Sequence, residues 1–114
     1  MNDEIATVEV KRTEAACILR IAGELDLSNA THLEDRVRQE AEDCRALVLD
    51  LTALRFIDSS GVRMLDHLVT AYAGVRPVRV ATTDPGPVRF TLKLCGFDDA
   101  LLTTTTDAAV ASLS

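Results

Sequence analysis

Apolar residues come in short alternating runs near the start of the chain and at helical spacings further on. Residues 5–10 place Ile5, Val8 and Val10 between charged neighbours, the pattern of a first strand at a sheet edge. Thr13 to Ala16 form a turn, and residues 17–22 (Cys-Ile-Leu-Arg-Ile-Ala) make a second strand that ends at Gly23. A turn this short lets the two strands pair antiparallel. Ala30, Leu33, Val37 and Ala41 then form one apolar helical stripe, with Glu34, Asp35, Arg38 and Glu42 facing water. Ser28 or Asn29 is placed to cap that helix. Residues 47–51 form an apolar run interrupted only by Asp50. Periodicity alone does not separate strand from helix there, but the surroundings favour a buried strand. Residues 52–57 read as a brief hydrophobic connection.

A second helical face follows in Val62, Leu65, Leu68, Val69 and Tyr72, and Gly74 is placed to stop it. Residues 77–81 predict another strand, with Val78 and Val80 flanking Arg79. The run Asp84-Pro85-Gly86-Pro87 interrupts regular structure. A third helix is expected over residues 88–94, with Phe90, Leu92 and Leu94 apolar and Gly96 as its stop. A short last strand over 100–103 leads to a terminal helix capped by Thr106 or Asp107 and reaching Leu113. Strands that alternate with helices imply right-handed crossovers. The expected fold is therefore a single α/β domain over residues 1–114, with a mostly parallel, mixed sheet of four to five strands and about four helices. Helices lie on one face if successive strands are neighbours, and on both if the order reverses once.

A net charge of −6 argues against nucleic acid or an anionic membrane as partner, and suits a partner with a basic surface. No apolar run approaches the roughly 18–20 residues that cross a bilayer. Met1-Asn2-Asp3-Glu4 is acidic and lacks the pattern of a signal peptide, so the cytoplasm is expected. Cys17, Cys44 and Cys95 are odd in number and widely spaced; they suggest small core hydrophobes, with neither a disulfide framework nor a zinc site. His32 and His67 lack ligand-like spacing, and no metal or cofactor is expected.

The candidate chemistry lies in Asp58-Ser59-Ser60-Gly61, where a strand region hands over to the second helix. Asp or Ser there satisfies orphan backbone N–H groups. An exposed Ser at such a position is a good phosphoacceptor, because the added charge of about −1.5 to −2 meets the positive end of the helix dipole. In open α/β sheets, working residues gather beyond the carboxyl ends of the strands. Asp26 follows the second strand and Asp58 the third, so they are expected as neighbours. At about 100° per residue, Ser59 and Arg63 fall within about 40° of each other, so Arg63 is placed to pair with a phosphate on Ser59.

The run VLDLTALRFIDSSGVRML resembles the core of the STAS domain, specifically the stand-alone bacterial anti-sigma factor antagonists. GELDLSNATHLEDRV and the tail VRFTLKLCGFDDALLTTTTDAAVASL follow the same family pattern, so the likeness runs from about Val8 to Leu113. It implies repeated β-α units and phosphorylation of the first Ser of the motif, Ser59, by a partner kinase. The implied function is a switch. The unphosphorylated protein binds an anti-sigma factor of the ATP-binding serine-kinase type and displaces a sigma factor; phosphorylation ends binding, and a serine phosphatase restores it. Asp26, Asp58, Ser59, Ser60, Gly61 and Arg63 are the expected partner-binding residues. Arg63 stands where the family more often has Gly.

Two other classes compete. An enzyme with Ser59 or Ser60 as nucleophile needs a base, and His67 lies roughly 10 Å of helical rise from Ser60. No Gly-x-Ser-x-Gly elbow is present either. No catalytic residue is therefore assigned. The other alternative is a single-domain STAS scaffold subunit of a membrane transporter complex, or of another signalling assembly without sigma control.

Overall fold

The computed structural model describes residues 5–113; the acidic start read at residues 1–4 lies outside them. Six strands form one mixed sheet: β1 (Ala6–Arg12), β2 (Cys17–Leu25), β3 (Leu47–Asp50), β4 (Leu54–Ile57), β5 (Val78–Ala81) and β6 (Leu102–Thr103). The order is β1-β2-β3-β5-β6, with β4 paired to β2 beside this path. β1 runs antiparallel to β2 at the edge, from Ala6 opposite Gly23 to Arg12 opposite Cys17. All the other pairs are parallel.

The helices are α1 (Ala30–Ala41), α2 (Ser59–Tyr72), α3 (Pro87–Leu94) and α4 (Thr106–Ala111). Alternate residues of a strand face opposite sides. Leu47 and Leu49 of β3 join Leu19 and Ile21 of β2 in the main core, under Val37 of α1, Leu65 and Leu68 of α2 and Leu92 of α3. Val48 points the other way and packs with Ala16, Ala46 and Ala109 of α4. With β4 set aside against β2, the parallel strands follow the order β2-β3-β5-β6, and α1, α2 and α3 all pack into the main core on one face. Among the described residues, α4 is the helix that covers the other.

The α/β class and the helix count match the expectation, and the sheet gains a strand from the stretch read as a connection. That strand, β4, was hidden because its buried residues, Leu54 and Ile57, are spaced by three, with exposed Arg55 and Phe56 between them. It has a place to pair because β2 runs on past the residues that pair with β3. Gly23 has φ 106°, and a Cβ there would lie 2.2 Å from the Ile5 carbonyl oxygen. β2 pairs with β3 as far as Arg20 and with β4 from Gly23 on; within that second ladder the register shifts between Gly23 and Glu24, and it ends with Leu25 opposite Ile57.

The third helix divides its apolar residues between two faces, and two further expectations are corrected. Phe90 and Leu94 are 67% and 75% exposed. Residues two apart on a helix point in nearly opposite directions, so Leu92 shares the buried face with Val88 and the other two face out. The last strand is shorter, preceded by a 3₁₀ turn at Asp99–Leu101, and α4 is capped by Thr105, which accepts from Ala108 N–H at 3.0 Å. Finally, Cys17 and Cys44 form a disulfide with their Cα atoms 5.7 Å apart, while Cys95 is free and exposed. The pairing follows from topology: Cys17 opposes Leu47 in the parallel register, which brings the segment entering β3 beside the start of β2.

Candidate functional site

The pairing of the end of β2 with β4 decides where the site forms. Because β2 ends against β4, the turn after Leu25 lies beside the turn after Ile57, and Asp58 N–H donates to the Leu25 carbonyl at 3.2 Å. Asp26 and Asp58 are therefore neighbours at the carboxyl end of the sheet, although Asp58 follows β4 and not β3.

Asp58 is the N-cap of α2. Its Oδ1 accepts from Ser60 N–H at 2.9 Å and Gly61 N–H at 3.1 Å, and its Oδ2 accepts from Leu27 N–H at 3.2 Å. One carboxylate thus serves both halves of the site. Ser59 is the first helical residue and is exposed. Its hydroxyl makes no hydrogen bond among the described residues, so the capping role given jointly to Asp and Ser in the sequence belongs to Asp58 alone. Gly61 is buried, and a Cβ there would meet Ile57 Cγ1 at 2.6 Å and Leu25 Cγ at 2.9 Å. Its missing side chain lets α2 start directly on the ends of β2 and β4.

The opposite turn is also tightly held. Asp26 Oδ1 accepts from Ser28 N–H at 2.9 Å and from the Ser28 hydroxyl. Asn29 stands at the N-cap of α1 but turns its side chain back: Oδ1 accepts from Asp26 N–H at 3.0 Å and Nδ2 donates to the Glu24 carbonyl at 2.9 Å. This leaves Leu27 on the outside, 79% exposed. The sequence reading passed over Leu27. Its signal was a large apolar residue between two polar turn residues, off the stripe of α1.

Arg63 lies one turn beyond Ser59, exposed and without an ion pair among the described residues. With Leu27, Ser60 and His67 it lines a groove of about 110 Å³ between α1 and α2. Below it, Glu34 of α1 binds Arg38 at 2.8 Å and faces His67 Nδ1 of α2 at 3.3 Å. Burial alone would raise the Glu34 carboxyl, but hydrogen bonds from Arg38 and His67, with their charges, outweigh it and hold the group below the usual glutamate value. Glu34 is the hydrogen-bond partner of His67, and neither His67 nor exposed His32 bonds Ser59 or Ser60 among the described residues. Those residues also contain no group of three or more His, Cys, Asp or Glu side chains arranged to hold a metal ion.

The STAS domain model matches residues 7–112. The chain belongs to the STAS domain family. Its STAS domain is 38% identical over 60 residues to the anti-sigma-F factor antagonist RsfB of Mycobacterium tuberculosis, a match covering 52% of this chain and 49% of that protein. The aligned stretch thus spans about half the length of the curated relative. An anti-sigma factor antagonist from Mycobacterium paratuberculosis superposes on the STAS domain with a TM-score of 0.85 and 26% identity, over 95% of this chain and 93% of that one. The anti-sigma factor antagonist SpoIIAA in its unphosphorylated form shares the fold, with a TM-score of 0.71 and 18% identity, over 93% and 94% of the two chains.

Proposed function

We propose that this STAS domain is an anti-sigma factor antagonist whose binding is switched off by phosphorylation of Ser59. The unphosphorylated form binds an anti-sigma factor that is also an ATP-dependent serine kinase, and so frees a sigma factor. The kinase phosphorylates Ser59, the complex parts, and a serine phosphatase resets the protein. The observation that carries this reading is Ser59 itself: an exposed hydroxyl with no internal partner, on the first turn of a helix whose cap is supplied by another residue. The relatives' role as anti-sigma factor antagonists supports the choice of partner.

The surroundings of Ser59 suit a signal that repels. Two of the N–H groups at this helix start, those of Ser60 and Gly61, are already bound by Asp58. A phosphate on Ser59 therefore gains the helix dipole but shares its site with the Asp58 and Asp26 carboxylates. Arg63 is the nearby cation that can offset that charge. A partner surface shaped for Leu27 and a neutral Ser59 would have to desolvate a dianion, which is costly unless it is paired.

The STAS domain acts here as a kinase substrate and binding partner, not as an enzyme, and the nucleotide belongs to the kinase. The switch operates in the cytoplasm, where ATP and sigma factors are found; among the described residues no helix is long and apolar enough to cross a membrane. Incubation with the cognate kinase and ATP, followed by mass spectrometry, tests the site. One phosphate on Ser59 is expected, and a phosphate on Ser60, Thr52 or Thr70 would refute the assignment.

A further inference from the structure

We propose that the Cys17–Cys44 bridge is a thiol–disulfide exchange site, opened by a small dithiol, with Arg12 as a positioning residue for the departing thiolate. The two cysteines are 27 residues apart and enclose β2, the Asp26 turn and α1. The bridge therefore ties down the element that supplies one half of the Ser59 site. Cys44 stands between α1 and β3, and Cys17 opens β2.

Three observations make this bridge more than a staple. Arg12 Nη1 lies 3.3 Å from the Cys17 sulfur and 3.6 Å from the Cys44 sulfur, so one guanidinium touches both. Glu40 fixes that guanidinium, accepting from Nη2 at 2.8 Å on its carboxylate and at 3.2 Å on its backbone carbonyl. An open hollow of about 610 Å³ lies over the bridge, with Arg12, Thr13, Asp43 and Arg45 in its walls, so a small thiol can reach sulfurs that belong to otherwise buried residues. A neighbouring cation lowers a thiol's pKa and makes the thiolate a better leaving group.

The exchange balances as follows. A thiolate of the dithiol attacks one bridge sulfur; the S–S bond breaks and its electron pair leaves on the other sulfur as a thiolate beside Arg12. The second thiol of the reductant, once deprotonated, attacks the mixed disulfide at the reductant's own sulfur and releases the second cysteine thiolate. Two electrons pass to the protein, the dithiol becomes a cyclic disulfide, and the cysteines take up protons from water. A small disulfide reverses the step. In a reducing compartment a bridge of this kind is transient and reports redox state. That use in the cell rests on the cytoplasmic setting of the proposed function; the exchange chemistry does not.

The test uses the purified full chain and dithiothreitol at neutral pH without denaturant, with no partner present, so a failure of the sigma-switch reading cannot be mistaken for a failure here. Alkylation and mass spectrometry should count one free thiol, Cys95, before reduction and three after it. Arg12→Leu should open at least tenfold more slowly while Arg12→Lys keeps most of the rate, with circular dichroism checking that each variant is folded. The reduced chain should melt on the order of 10 °C lower, because a closed loop of this length is released. A bridge that opens only in denaturant, or an Arg12→Leu protein that opens at the parent rate, would overturn the proposal.

Discussion

The Asp58 carboxylate accepts a hydrogen bond from the Leu27 backbone N–H at 3.2 Å, across 31 residues of sequence. Its other oxygen caps α2, so one side chain joins the turn after β2 to the helix that carries Ser59. Asp58→Ala should cost about 1–2 kcal/mol, the upper range for a lost N-cap, because a second bond goes with it. Asp58→Asn keeps an acceptor and should lose less. Urea unfolding of the three proteins measures this, and an Ala variant as stable as the parent would contradict the described role.

Gly61 is predicted to resist even the smallest side chain. Ala is favoured over Gly in a helix by about 1 kcal/mol, yet the added methyl would stand 2.6 Å from Ile57 Cγ1 and 2.9 Å from Leu25 Cγ. Overpacking of this kind costs about 1–3 kcal/mol, so Gly61→Ala should come out destabilised. A higher melting temperature for Gly61→Ala would show that α2 can lift off the sheet end without cost.

The Glu34 carboxyl is held below its ordinary value of 4.5 by Arg38 and His67. A carboxyl with a lowered folded pKa adds stability that is present above its unfolded pKa and is lost as pH falls through the folded value. Glu34→Gln should therefore be less stable than the parent near pH 6, by some tenths to about 1 kcal/mol, as for other partly exposed pairs. The gap should close as pH falls below 4.5, where the parent loses the same interaction. Thermal melts across that range test the sign; a gap that widens in acid would contradict it.

Arg63 is expected to matter more after phosphorylation than before. Exposed and without an ion pair among the described residues, it should be removable in the free protein at almost no cost. Arg63→Ala should lower the stability of the Ser59-phosphate form by some tenths to about 1 kcal/mol. Equal melting shifts in the two forms would remove Arg63 from the account.

Much of this architecture was legible because periodicity reports burial. The stripe Ala30, Leu33, Val37 and Ala41 is the buried face of α1, and Val62, Leu65 and Leu68 lie on that of α2. Where the period broke, the sequence misled. Leu54 and Ile57 do not alternate, so β4 passed as a loop, and with it the pairing that sets Asp58 beside Asp26. Apolar character alone did not tell Phe90 and Leu94, which face out of α3, from buried Leu92. The Cys17–Cys44 bridge depends on the β2–β3 register, which no local pattern encodes. The tetrad itself was visible through its capping chemistry. Which member caps was not, since Asp58 and Ser59 both suit the position and only the backbone distinguishes them.

The central claim is that charge at Ser59 is the signal, and calorimetry against one purified kinase-type anti-sigma factor tests it most directly. Because Ser59 is the first helical residue and not the cap, Ser59→Ala and Ser59→Asp should both fold with nearly the parent's stability, Asp gaining slightly from the helix dipole. Ser59→Ala should bind about as tightly as the parent. Ser59→Asp should bind at least tenfold more weakly, a loss of about 1.4 kcal/mol. Equal affinity for the two variants would contradict the switch and favour a scaffold role that needs no phosphorylation.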